Sequence, residues 1–192
     1  MAKKYEFQPD KPYSTWLNKL QLTHLQKLQV LKWGLYALLL IILSLLQDVV
    51  LCRIRFYGGS TELVPCGIFI ICILEGTQRG CIFSLIAAFL YLLSGSAPGP
   101  HVLVLISFLS MLASALRQGY LHPGFLSTFL CTALAMALYE LAIFAFCLLV
   151  GYVTADRFVS FMVPAVLTLA AVPVVYPFAK AICAIGGNVW NE

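Results

Sequence analysis

The chain has 192 residues, of which 61% are hydrophobic and only 10% charged, and its mean hydropathy is +0.93. An ordinary soluble domain is about 25% charged, and a soluble fold could not cover this much apolar surface. The net charge of +4 does not point to nucleic acid, because six of the twelve Lys and Arg fall before residue 33 and the rest are isolated rather than gathered on one face.

Residues 1–12 are polar and end in proline, which predicts a mobile tail. From Ser14 or Thr15, a plausible helix cap, apolar residues from Trp16 to Leu31 recur at steps of three and four, with Lys19, Lys27 and Lys32 between them. Two readings stay open: an amphipathic helix lying on an anionic leaflet, or a solvated extension of the first membrane helix. The first apolar run begins only near Trp33, so no cleavable signal peptide is expected and the first span serves as an anchor.

Six spans are expected, at about 33–51, 63–75, 80–93, 101–116, 125–150 and 158–179, forming one compact all-α bundle over residues 33–180. A tail and juxtamembrane helix (1–32) precede it, and a short tail (181–192) follows. The second and third runs are shorter than the roughly 20 residues a free-standing span needs. They form either two short spans meeting at the polar turn EGTQRG, the reading favoured here, or one re-entrant element. Pro164 and Pro173 predict kinks in the last span. With the N-terminus inside, Lys3, Lys4, Lys11, Lys19, Lys27, Lys32, Arg79, Arg117 and Lys180 fall on cytoplasmic segments, against Arg53, Arg55 and Arg157 outside. Nine against three places both termini in the cytoplasm by the positive-inside rule.

Ionisable groups at membrane depth need a partner or a purpose. Glu75 and Arg79 are spaced for a helical ion pair across the turn. Glu140, inside the fifth span, is expected to face the bundle, stay protonated, or pair with Arg79 or Arg117. These four residues are the candidates for helix or partner contacts. Ser84 with Ala88, Ser110 with Ser114, and Ala133 with Ala137 offer small-residue faces for close helix approach. The seven cysteines form no CxxC pair and no metal spacing and are expected to pack as small hydrophobes. His101 follows Pro100 at a helix start and reads as interfacial, and Ser96 lies in a loop outside any buried span, with no histidine after His122. No carboxylate pair, phosphate loop or metal cluster argues for an enzyme or a cofactor.

The central stretch LQDVVLCRIRFYGGSTELVPCGIFIICILEGTQRGCIFSLIAAFLYLLSGSAPGPHVL resembles the rod shape-determining protein MreD family. The similar features are a first span ending in Gln47 before a basic, glycine-containing loop, a short span ending in an EGxxRG turn, a Leu-Ser-Gly loop, and a helix opening at His101. Tyr91 stands where many members of that family carry an Asp. The resemblance implies a non-enzymatic, multi-pass protein of the bacterial inner membrane that serves cell elongation. It also implies partners: a bitopic MreC-like protein and, directly or through it, an MreB-like filament, a RodA-like glycosyltransferase and a class B penicillin-binding transpeptidase. The rival expectation is a substrate-binding subunit of an energy-coupling-factor vitamin transporter, similar in size and fold. Such a subunit would gather polar and aromatic residues in an outward pocket and often carries an Ala-x-x-x-Ala face on its first span, where this chain has only Ala37.

Overall fold

A computed structural model describes residues 24–51, 61–121 and 124–185. The N-terminal tail, Lys19, the Arg53 and Arg55 loop and the C-terminal tail from residue 186 lie outside the described residues. Among the described residues every regular element is helical: α1 (His24–Leu45), a π-helical turn (Leu46–Val50), α2 (Leu63–Glu75), α3 (Thr77–Leu93), α4 (His101–Tyr120), α5 (Phe125–Val150), a 3-10 turn (Ala155–Arg157), α6 (Phe158–Leu169) and α7 (Val172–Cys183).

Lys27–Val49, His101–Tyr120 and Phe125–Val150 are each long and apolar enough to cross a membrane, and α6 with α7 adds a fourth span if that pair, bent by 48°, counts as one. The chain is therefore an α-helical membrane protein. α1 is continuous from His24, so the described part of the lysine-bearing stretch extends the first membrane helix. α5 covers Phe125–Val150, the residues of the fifth expected run, whereas α4 continues past residue 116 to Tyr120 and so includes Arg117.

The expected last span is broken. Backbone bonds at its centre tighten to three-residue spacing, from Ala170 N–H to the Leu167 carbonyl and from Ala171 N–H to the Thr168 carbonyl. Pro173, in the first turn of α7, cannot donate the N–H that would carry the helix through.

α2 organises the bundle. Every one of its 13 residues is buried, and the large exposed hydrophobic side chains lie on the helices around it and never on α2. Its sequence, LVPCGIFIICILE, is apolar on all sides, the composition of a helix enclosed all round. Lipid is as apolar as leucine, so packing and hydrogen bonding, not transfer from water, hold α2 in place. Small residues let its neighbours close in: Ser84, Ala88, Ser110 and Ser114 are buried where α3 and α4 pack, while Ala137 is exposed on α5.

A buried helix must satisfy its terminal N–H and carbonyl groups without water. Side chains of other helices supply the partners. At the start of α2, Val64 N–H donates to the Gln47 side-chain carbonyl at 3.1 Å, and Glu62 N–H donates to the Thr168 hydroxyl at 3.2 Å. At its end, the Arg117 guanidinium donates to the Ile73 carbonyl, and the Cys183 thiol to the Leu74 carbonyl at 3.8 Å. The cation of Arg117 thus sits at the negative end of the α2 dipole.

Candidate functional site

Three features stand out around α2: a charged pole at its end, a polar pole at its start, and an apolar groove between α1 and α3.

The charged pole is built on EGTQRG, residues 75–80. Gly76 ends α2 at φ 87, a left-handed conformation that side chains disfavour, and α3 begins at the next residue. A Cβ on Gly80 would lie 2.8 Å from the Cys72 carbonyl oxygen and 3.0 Å from its Cα, so only glycine lets α3 turn back this tightly on α2. The Cys72 thiol donates to the Gly80 carbonyl across the same contact at 3.0 Å.

Because Gly76 interrupts the helix, Glu75 and Arg79 do not share a helical face. Glu75 turns to α1 instead, where Lys32 Nζ lies 2.6 Å from Oε1 and the Tyr36 hydroxyl donates to the same oxygen at 2.7 Å. The Lys32 and Glu75 side chains are 6% and 1% exposed, so this is a buried ion pair. Spacing alone missed Lys32 and Tyr36, although the polar residues of α1 fall on the turns that a buried acid at the foot of α2 would face. Arg79 is exposed beside the groove. Arg117 is 6% exposed and turned to the end of α2. One turn away, the Thr77 hydroxyl bonds Gln118, tying α3 to α4.

At the polar pole, Asp48 accepts from the Ser96 hydroxyl at 3.0 Å and lies 3.4 Å from the Ser44 hydroxyl, tying the end of α1 to the loop after α3. His101 stacks on Phe146 with ring centroids 4.3 Å apart. Below them, Glu140 is 3% exposed and reaches neither Arg79 nor Arg117. Its charged neighbour is Glu62, just before α2. Glu62 and Tyr139 carried no signal in the sequence, because nothing local announces that the start of α2 sinks to the level of Glu140.

The groove has a volume of about 730 Å³ and is lined by Trp33, Leu40, Ile41, Ile86 and Leu90, with Arg79 at one end and Ser44 and Ser94 at the other. At about 1.5 Å per residue, the α3 wall from Arg79 to Ser94 runs roughly 22 Å, most of the hydrocarbon thickness of a bilayer. Among the described residues no group of three or more His, Cys, Asp or Glu is placed to hold a metal. No protein-family model matches the chain, and neither a curated protein nor a solved structure matches it.

Proposed function

We propose that this protein is a non-enzymatic membrane scaffold of the bacterial cell-elongation machinery, of the MreD type, whose α1/α3 groove receives the single membrane helix of a bitopic, MreC-like partner. The observation that carries the reading is the groove itself: apolar, about 730 Å³, open on the side of the bundle and long enough to follow a helix through most of the bilayer. Trp33 and Phe83, with ring centroids 5.4 Å apart, give it a rigid wall on both helices. Arg79 offers a cation where a partner's helix would leave the membrane. Through that partner the protein would join the MreB-like filament, the RodA-like glycosyltransferase and the class B transpeptidase.

In this reading the chain crosses the inner membrane six times, with α2 and α3 as short passes and α6 with α7 as a bent one. Lys27, Lys32, Arg79, Arg117 and Lys180 all belong to the pole at the end of α2, which favours that pole, and both termini, on the cytoplasmic side.

A second reading, the substrate-binding subunit of an energy-coupling-factor transporter, draws support from one observation: acidic and aromatic side chains converge at the opposite pole. Affinity purification of the detergent-solubilised protein at native expression, with co-purifying proteins identified by mass spectrometry, separates the two. Recovery of a bitopic partner with cell-wall synthases is the expected result; recovery of paired ATPases with a transmembrane coupling protein would replace the scaffold with the transporter.

A further inference from the structure

Two acids, Glu62 and Glu140, and the Tyr139 hydroxyl come within range of one another where the start of α2 meets α5. Glu140 Oε1, the Tyr139 hydroxyl and Glu62 Oε2 are shielded from solvent and have no hydrogen-bond partner among the described residues. Tyr139 is 0% and Glu140 3% exposed. The Tyr139 hydroxyl lies beside the Glu62 carboxylate, and Tyr91 is within electrostatic range of both acids. The backbone position of Glu62 is fixed by its N–H bond to Thr168, whose hydroxyl in turn donates to the Pro164 carbonyl at 2.6 Å.

Unpaired polar atoms in such a place cost stability, and two carboxylates within electrostatic range of each other repel unless protons or a cation neutralise them. Among the described residues the buried cations are occupied elsewhere: Lys32 by Glu75 and Arg117 by the end of α2. We propose that Glu62, Glu140 and Tyr139 form a binding site for a small alkali or alkaline-earth cation held by oxygen ligands. All the donors are hard oxygens, the set such cations take, and the His and Cys ligands that select transition metals are missing from it. Charge balance is simple: a divalent cation neutralises both carboxylates, and a monovalent cation does so with one proton retained. The site is independent of the groove, so it holds under either reading of the partner.

The test is thermal unfolding of the purified full chain in detergent, at constant ionic strength set with choline chloride, as Na⁺ or Ca²⁺ is titrated. A saturable rise in the midpoint is expected for one of the two ions, and the ion that acts decides between monovalent and divalent occupancy. Glu140→Gln should abolish the rise. Tyr139→Phe, which keeps the ring packed against Phe69, should raise the half-saturating concentration about three- to tenfold, the effect of losing roughly one hydrogen bond's worth of ligation. No saturable response to either ion, or an equal response in the wild type and Tyr139→Phe, overturns the proposal. So does a loss of stability in Arg53→Gln or Arg55→Gln equal to that in Glu140→Gln without any cation response, which would assign the charge to an internal ion pair.

Discussion

Replacing Glu75 by Gln separates a structural ion pair from a decorative one. The pair is 2.6 Å long between side chains that are 6% and 1% exposed, and removing one member of such a pair strands the other charge at a cost of about 3–5 kcal/mol. The lower end of that range applies to Glu75→Gln, because the Lys32 stem can snorkel toward the near interface and Gln can still accept from Tyr36. Lys32→Met leaves the carboxylate with the Tyr36 hydroxyl but no cation among the described residues and should cost more. The double variant Lys32→Met/Glu75→Gln removes both charges and keeps an acceptor for Tyr36, so it should recover to within about 1 kcal/mol of the wild type. Reversible unfolding in mixed micelles of increasing denaturing-detergent fraction gives all four free energies and their coupling. Single variants within about 1 kcal/mol of the wild type, the cost typical of an exposed pair, would refute the assignment of Glu75 and Lys32 as the bond between α1 and α2.

The glycines of the turn should differ sharply from others. Gly80→Ala places a Cβ 2.8 Å from backbone that cannot yield and should cost about 1–3 kcal/mol, while Gly34→Ala, with nothing within 4 Å, should be neutral or slightly stabilising in the same unfolding assay. Arg117→Gln removes a charged donor from the Ile73 carbonyl and should cost about 1.5–3 kcal/mol, read as a lower unfolding midpoint of the purified protein, with Arg79→Gln, exposed beside the groove, as the comparison whose midpoint stays unchanged. Pro173→Ala restores the missing N–H and should open the 48° bend between α6 and α7, seen as a longer distance between spin labels placed on Val166 and Phe178.

The parts of this fold that are legible in the sequence are those written in long apolar runs and in glycine. The run at Phe125–Val150 carries one charged residue, Glu140, and is bounded by Gly124 and Gly151, so its limits can be read directly. EGTQRG announces a turn, and the two glycines do what only glycine can: one takes φ 87 and the other a backbone contact. What the spacing could not give was the partner of Glu75. The four-residue rule holds only inside one helix, and Gly76 breaks that helix between Glu75 and Arg79; the true partner, Lys32, comes from α1, across a gap that no local pattern encodes. Lys32 itself reads as one lysine of a polar face until α2 is placed beside it. The break between α6 and α7 was half legible, since prolines mark a kink but do not distinguish a bend from two helices. The Glu62 and Glu140 pair was not legible at all, because it depends on α2 beginning at the depth of the middle of α5.

The central claim, that the α1/α3 groove is a partner's seat, is tested most directly by photo-crosslinking in growing cells from side chains replaced one at a time with a photoreactive amino acid. Ile41 and Ile86 line the groove, and Phe108 on α4 is 62% exposed outside it. The expected result is one bitopic membrane protein captured from Ile41 and Ile86 and absent from Phe108. Capture of lipid alone from the groove, or the same protein from all three positions, would contradict it.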